Sequence, residues 1–159
     1  MTATTMTVVN ATATLRPMRW WDIDPLLAME HDLFGSESWT AGAFWSELAQ
    51  PSTRHYVVAE DGDELVGWAG LAAWTGEAFV QTIAVRRDRQ HAGLGRALLS
   101  ELLTEAKRRG ERHVMLEVRA NDERAQRMYA RAGFEAIGRR ARYYQPSGVD
   151  AIVMRAELS

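Results

Sequence analysis

Hydrophobic residues recur at intervals of three and four in four segments of the chain, and this spacing predicts four amphipathic helices. The longest covers residues 93–109, where Leu94, Leu98 and Leu102 form one apolar stripe and Gly110 follows as a helix-ending glycine. The other three cover residues 21–34, 41–49 and 123–132. Residues that favour helix N-caps precede these three: Asp22 or Asp24, then Thr40, then Asn121 or Asp122.

Alternating or continuous apolar runs predict seven strands between these helices. They cover residues 12–18, 56–59, 65–74, 79–85, 113–119, 134–144 and 151–158. The order is one strand, two helices, three strands, a helix, a strand, a helix and two strands. This order predicts a mixed α/β fold in which crossover helices follow the fourth and fifth strands.

The composition is that of one ordinary globular domain. The 159 residues are 47% apolar and 25% charged, which excludes a disordered or fibrous chain. Residues 12–159 are predicted to form this domain, and the Thr/Ala-rich residues 1–11 a loose N-terminus. The longest uncharged run in the middle of the chain, residues 65–76, is about half of the ~20 residues that a membrane span needs. No secretory signal is visible, so we expect a cytoplasmic protein without a membrane partner.

The chain contains no cysteine, which excludes a disulfide framework, a thiolate metal site and a cysteine nucleophile. The four histidines, at positions 31, 55, 91 and 113, never stand at the i, i+3 or i, i+4 spacing of a helical metal site. We therefore expect no metal.

Charge is distributed unevenly along the chain. Residues 1–80 have a net charge of −8 and residues 81–159 one of +6. A basic half suits a polyanionic ligand and an acidic half suits a cationic one, although a solvated surface with accidental asymmetry is the alternative. The Arg-rich half lacks a basic motif interleaved with aromatic residues, so we expect no nucleic-acid partner.

The segment Gln90 to Arg96 places two glycines at the predicted start of the longest helix. Glycines allow a close backbone approach, and the free N–H groups of a helix start attract anions. The sequence therefore predicts a phosphate site, to which Arg86, Arg87 and Arg89 add charge. A dinucleotide motif lacks its third small residue here, and no lysine follows the glycines as in a Walker motif. A glycine-rich helix start that only closes a loop is the structural alternative.

Together, Thr82-Ile83-Ala84-Val85 and the segment from Gln90 to Arg96 resemble the acetyl-CoA-binding motif of the GNAT acetyltransferases, Q/R-x-x-G-x-G/A. A later set of residues resembles the RimI group of that family, which acetylates the N-terminal alanine of small-subunit ribosomal protein eighteen. This set consists of residues 116–121, Met128-Tyr129, Gly133-Phe134, Arg139-Arg140, Tyr143-Tyr144 and Asp150-Ala151. The resemblance is close over residues 80–155 and loose before them.

The resemblance implies a GNAT fold, with a mixed, mostly antiparallel sheet of about seven strands flanked by about four helices. It implies acetyl-CoA as the acetyl donor and a protein N-terminus as the acceptor. We also expect a monomer. The residues implied to bind acetyl-CoA are Ile83, Ala84, Val85, Gln90, His91, Ala92, Gly93, Leu94, Gly95, Arg96, Asn121 and Asp122. Where the family commonly has Asn, this chain has Asp122. Either Asp122 caps the last helix while Asn121 reaches the cofactor, or that contact is lost.

Two side chains are the candidates for proton transfer. By the resemblance, Glu117 is the general base that deprotonates the attacking amine, and Tyr129 is the general acid that protonates the departing thiolate. The structural alternatives are a surface ion pair between Glu117 and Arg119, and a tyrosine that anchors the core.

Trp39, Tyr143 and Tyr144 are the candidate acceptor-binding residues, with core or rim positions as the alternative. Acidic residues of the first half, Glu30, Asp32, Glu37 and Glu47, are expected to attract a basic acceptor terminus. Two other functions stay open at this point. One is acetylation of a small amine, polyamine or lysine, and the other is a non-catalytic module that binds acetyl-CoA.

Overall fold

The computed structural model describes residues 7–8, 13–74 and 76–159. Within these residues, eight strands form one sheet in the order β1-β2-β3-β4-β5-β6-β8-β7. All neighbours are antiparallel except β5 and β6, which are parallel. The strands are β1 (Thr7–Val8), β2 (Thr14–Pro17), β3 (Arg54–Asp61), β4 (Glu64–Trp74), β5 (Glu77–Val85), β6 (His113–Arg119), β7 (Glu135–Arg140) and β8 (Ala151–Glu157). The predicted mixed, mostly antiparallel sheet is confirmed.

Four α-helices occur in the described residues: α1 (Ile23–Phe34), α2 (Ala41–Leu48), α3 (Leu94–Arg108) and α4 (Glu123–Arg131). The Thr40 hydroxyl accepts a hydrogen bond from the Ala43 amide at 3.1 Å, and Asp122 accepts one from the Ala125 amide at 3.0 Å. Both residues are therefore N-caps, as predicted. Of the helices described, none is long and apolar enough to cross a bilayer.

Three sequence predictions need adjustment. Asp22 precedes α1, but its carboxylate binds Arg16 and the Arg19 amide instead of capping the helix. The predicted strand over residues 134–144 ends at Arg140, because the Arg142 amide turns to Asp150 Oδ1 at 2.9 Å. Of the predicted loose N-terminus, only residues 7–8 are described, and they pair with β2.

The two faces of the sheet carry separate hydrophobic cores, since alternate residues of a strand point to opposite sides. Val57 and Ala59 of β3 belong to the core that packs against α3 and α4. Tyr56 and Val58 of the same strand belong to the core beneath α1 and α2. The larger core includes the predicted stripes Leu94, Leu98 and Leu102 of α3 and Val114, Leu116 and Val118 of β6.

The sheet opens between its two parallel strands. Residues 77–80 of β5 pair with residues 113–116 of β6, and no pair between these strands follows in the described chain. Beyond this point β5 pairs only with β4, and β6 only with β8. Gln81 is the extra residue of a bulge in β5, because Val80 and Thr82 oppose consecutive residues of β4. A gap therefore begins at Gln81 on one side and Glu117 on the other.

Candidate active site

A groove of about 740 Å³ lies at this gap, between the end of β5, the start of α3 and α4. The predicted cofactor-binding residues line this groove, with the exception of Asn121. Asn121 is exposed and lines neither this groove nor the second cavity described below. Its lining residues are Leu33, Phe34, Ile83, Ala84, Val85, Arg87, Arg89, Gln90, His91, Ala92, Gly93, Leu94, Gly95, Arg96, Asp122, Arg124, Ala125, Met128, Tyr129 and Arg131.

The start of α3 is open toward this groove. Gly93 is its N-cap, with φ of 85°, and no side chain caps the helix. By contrast, Thr40 and Asp122 cap α2 and α4. The first amide of α3 that closes a helical turn is that of Ala97, which donates to the Gly93 carbonyl. The preceding N–H groups are therefore available to an anion, and the helix dipole favours one there.

Two features adapt this helix start to a large anionic ligand. A Cβ added at Gly95 would approach Met128 Sδ to 3.3 Å, so the missing side chain allows α3 to pack closely on α4. The groove at this helix start is also positively charged, since five of its lining residues are arginines: Arg87, Arg89, Arg96, Arg124 and Arg131. The residues present thus fit the diphosphate and 3′-phosphate of a coenzyme A ester.

The edge of β5 supplies backbone groups to the same groove. The Arg86 amide donates to the Val66 carbonyl at 2.8 Å, and this bond shows which alternate residues of β5 are hydrogen-bonded to β4. Alternation along an antiparallel ladder then turns the peptide groups of Val85 and Ile83 away from β4 and toward the gap. The Val85 carbonyl indeed accepts a hydrogen bond from Gln90 Nε2 at 3.1 Å. Ala84 lines the groove, but its own peptide groups face β4.

A second cavity, of about 440 Å³, adjoins the first. Gln81 lines this cavity and Ile83 lines the groove, so the two spaces meet within three residues of β5. The walls are largely apolar and aromatic. They consist of Trp74, Phe79, Val80, Gln81, Met115, Leu116, Glu117, Arg140, Tyr143, Tyr144 and Val153. We call this space the acceptor cavity.

Glu117 is the acidic residue among these walls. Its Oε1 lies 2.8 Å from Arg140 Nε, and its side chain is 26% exposed. Tyr143 is hydrogen-bonded to the same carboxylate, and this contact, together with burial, raises the pKa of Tyr143. The ion pair considered for Glu117 and Arg119 is not formed, because Arg119 pairs with Glu37. Glu117 therefore faces the cavity with two partners that keep its carboxylate in place.

Tyr129 lies on the groove side of the gap. Its ring packs edge-on against Phe134 with 5.8 Å between the centroids, and 7% of the residue is exposed. Burial raises the pKa of Tyr129, and the nearby Asp122 and Tyr144 add to the effect. The hydroxyl therefore stays protonated at neutral pH. Among the described residues it has no hydrogen-bond partner, although it lines the groove.

The structure separates the three aromatic candidates for acceptor binding. Tyr143 and Tyr144 both line the acceptor cavity, and burial raises the pKa of Tyr144 to about 12. Trp39 lines neither cavity. Its ring packs on Trp68 and Phe44 at centroid distances of 5.0 and 5.2 Å, in the core beneath α1 and α2. We therefore do not include Trp39 in the acceptor site.

The expected attraction by first-half acids does not hold for Glu30. Its carboxylate is fully buried and accepts hydrogen bonds from the Trp39 amide at 3.0 Å and Trp68 Nε1 at 3.2 Å. Burial raises the pKa of Glu30. Glu47 is occupied by Arg54 and by the Tyr56 hydroxyl. These two acids stabilise the fold and present no charge to an acceptor.

Several cavity residues were missed at the sequence level. Phe79 and Gln81 line the cavity from β5, and Met115 shares the face of Glu117 on β6. The period of two along β6 carries a signal for Met115 once Glu117 is a candidate. Arg140 stands in a segment that carries the resemblance, but its contact with Glu117 has no local signal, because it depends on the position of β7.

Comparison with known proteins agrees with this geometry. Residues 17–134 match the acetyltransferase (GNAT) family. The N-alpha-acetyltransferase RimI of Mycobacterium tuberculosis is 40% identical over 157 residues, which cover 96% of this chain and 97% of that protein. An uncharacterized protein of Mycobacterium leprae is 43% identical over 141 residues, and the chain spans only 38% of its length. The crystal structure of the ribosomal-protein-S18-alanine N-acetyltransferase from Escherichia coli has a TM-score of 0.82 at 30% identity, covering 92% of this chain and 94% of that one. The chain belongs to the GNAT acetyltransferase family.

Proposed function

We propose that this enzyme transfers the acetyl group of acetyl-CoA to the N-terminal α-amino group of a protein, with the N-terminal alanine of ribosomal protein bS18 as the acceptor. The observation that carries the proposal is the junction of the two spaces at the gap between β5 and β6. A groove suited to coenzyme A meets a cavity that has several aromatic walls and one carboxylate. Relatives similar over most of the chain are named as N-alpha-acetyltransferase RimI and as the S18-alanine N-acetyltransferase.

Acetyl-CoA supplies an activated acyl thioester. The first-turn amides of α3 and the surrounding arginines hold its phosphates, and the peptide groups of Ile83 and Val85 align the pantetheine arm in the place of a missing strand. A backbone N–H at this edge also stabilises the oxyanion that forms when the thioester carbonyl is attacked. One such donor contributes about 2.7–4 kcal/mol in well-studied acyl transfer.

Glu117 acts as the general base. An α-amino group has a pKa of about 8, against about 10.4 for a lysine, so a carboxylate that acts directly or through one water suffices at neutral pH. Its side chain is partly exposed to the cavity, and Arg140 and Tyr143 fix its orientation. The released proton thus passes from the amine to the carboxylate and on to solvent.

Tyr129 acts as the general acid that protonates the departing thiolate. Its raised pKa keeps the hydroxyl protonated, and the hydroxyl donates to the sulfur while the C–S bond breaks. Because the thiol of coenzyme A, with a pKa near the ~8.5 of a cysteine, is a stronger acid than the tyrosine, solvent then returns the proton to Tyr129. The chain has no cysteine, so no acetyl-cysteine intermediate forms. The amine attacks the thioester directly while both substrates are bound. We further propose that the enzyme acts as a monomer in the cytoplasm.

Polyamine substrates are less well supported by the acceptor cavity. A polycation requires several acidic contacts, and the cavity walls carry Glu117 alone, already paired with Arg140. The apolar and aromatic walls instead suit the first residues of an extended peptide.

The test is mass spectrometry of the protein incubated with acetyl-CoA and a peptide that copies the alanine-started terminus of bS18. The matched control is the same peptide with a blocked α-amine, and a lysine-containing peptide and spermidine are tested beside it. One added acetyl group on the α-amine of the free peptide alone supports the proposal. Acetylation of the blocked peptide at lysine, or of spermidine alone, contradicts it.

A further inference from the structure

A cluster of side chains joins distant parts of the chain at the rim of the acceptor cavity. Arg119, the last residue of β6, forms an ion pair with Glu37, which ends the short 3-10 turn after α1. The Arg119 guanidinium also lies over the Tyr144 ring, with 4.2 Å from Cζ to the ring centroid. Glu37 Oε2 in turn accepts a hydrogen bond from the Ser147 amide at 2.8 Å. We call Glu37, Arg119, Tyr144 and Ser147 the rim cluster.

The backbone of Arg119 is held independently of these side-chain contacts. Its carbonyl accepts hydrogen bonds from the Asp122 amide and from Gln126 Nε2, each at 3.0 Å. The residue opposite it in β8 is Ala151, which is fully buried. The position of the Arg119 backbone therefore does not depend on the rim cluster.

The contacts of the cluster are partly shielded from solvent. The Glu37 side chain is 10% exposed and that of Arg119 is 24% exposed. Hydrogen bonds from Ser147 and the charge of Arg119 lower the pKa of Glu37 to about 2, so the carboxylate is ionised at neutral pH. The planar guanidinium both pairs with this charge and stacks on an aromatic ring, which a lysine cannot do equally well.

The two segments joined by the cluster differ in how firmly they are held elsewhere. The α1 side is anchored by the buried residues Leu26, Met29 and Glu30. Residues 141–150, which connect β7 to β8, are mainly exposed, and they carry two walls of the acceptor cavity, Tyr143 and Tyr144. Loss of the cluster would therefore release this loop and leave α1 in place.

We propose that Arg119 is a positioning residue that holds the loop of residues 141–150 against the acceptor cavity and so sets the affinity for the acceptor peptide. Arg119 lines neither the groove nor the cavity, and Glu117 keeps its ion pair with Arg140, which belongs to β7 and not to this loop. The effect of Arg119 is thus on the KM for the acceptor and not on kcat. The inference rests on the proposed function for the identity of that acceptor.

The experiment compares steady-state kinetics of the wild type with Arg119→Ala, Arg119→Lys and Glu37→Gln, varying the peptide and acetyl-CoA in turn. Arg119→Ala is expected to raise the KM for the peptide on the order of tenfold, equivalent to about 1.4 kcal/mol, with kcat within a factor of about two. The KM for acetyl-CoA stays unchanged, because the groove is untouched. Arg119→Lys restores part of the affinity, since it keeps the charge opposite Glu37 but loses the stacking on Tyr144.

Arg127→Ala is the matched control, because Arg127 makes a long, exposed ion pair with Glu123 on α4 and lines neither cavity. Hydrogen exchange of the amides in residues 141–150 gives a second readout that needs no substrate, and it is expected to accelerate in Arg119→Ala. An unchanged peptide KM, or a fall in kcat at constant KM, would overturn the positioning role. If Arg119→Ala does not fold, the same criteria apply to Arg119→Lys and Glu37→Gln.

A wild type that does not acetylate the peptide counts against the proposed function. An active wild type with unchanged variants counts against the role of Arg119 alone.

Discussion

Replacing Glu117 by Gln tests the central step of the proposed mechanism. The amide has nearly the same shape as the carboxylate and can still accept a hydrogen bond from Tyr143, but it cannot take a proton from the amine. The lost ion pair has a partly exposed partner, because 57% of the Arg140 side chain is accessible. Such pairs contribute about 0–1 kcal/mol, so the variant is expected to fold.

The kinetic effect of this change follows from the role of the base. General bases contribute about 10²–10⁴-fold, and we expect Glu117→Gln to lower kcat/KM for the peptide by about 10²-fold at pH 7. An α-amine of pKa about 8 is roughly 10% neutral at pH 7 and roughly 90% neutral at pH 9. The deficit of the variant should therefore shrink toward pH 9, by up to about tenfold.

The assay measures release of free coenzyme A between about pH 6.5 and 9.5, a range that extends about one and a half units on each side of the α-amine pKa. Glu123→Gln is the control, because this acid lies on the surface of α4 with an 84% exposed side chain. Turnover of Glu117→Gln within about twofold of the wild type at pH 7 would refute the assignment, since a base contributes at least about 10²-fold.

Three further predictions address the acid, the core and the pH dependence of stability. Tyr129→Phe should lower kcat by about 10²-fold while the KM for acetyl-CoA stays constant, and an unchanged kcat would contradict its role as the acid. Leu102→Ala removes a fully buried side chain and should lower the free energy of unfolding in urea by about 2–5 kcal/mol; a loss under about 1 kcal/mol would contradict the packing described. Hydrogen bonds from Arg108 and Arg109 lower the pKa of Glu105 to about 2, from 4.5. Because the folded-state pKa is lowered, this stabilisation is present above about pH 4.5 and is lost as the pH falls toward 2. Glu105→Gln should therefore cost about 1 kcal/mol at pH 7 and clearly less near pH 2, and an equal cost at both values would contradict it.

The elements predicted from the sequence are those whose signals are local. The stripe of leucines in α3, the cap at Thr40 and the alternation of β6 depend on neighbours within a few residues. The end of β7 was placed too late because the hydrogen bond from the Arg142 amide to Asp150 closes a turn that apolar alternation does not reveal.

The candidate site was predictable only in part for the same reason. The helix start at Gly93 and the candidates Glu117 and Tyr129 stand in recognisable segments. Arg140 and Tyr143 also stand in such segments, but their contacts with Glu117 were not predictable, since the pairing of β7 with β8 brings them to it. The bulge at Gln81 depends on the register between β4 and β5, which the alternation of either strand alone does not fix.

The early separation of β5 from β6 has a consequence for the mechanics of the whole molecule. Four residue pairs connect the strands β1 to β5 with the strands β6 to β8 in the described part of the sheet. Beyond those pairs, the two halves present open edges that a bound substrate can span. A bound ligand would then connect the two halves of the sheet and stabilise them together. Saturation with acetyl-CoA should therefore slow hydrogen exchange of amides far from the groove, in β8 as well as in β4.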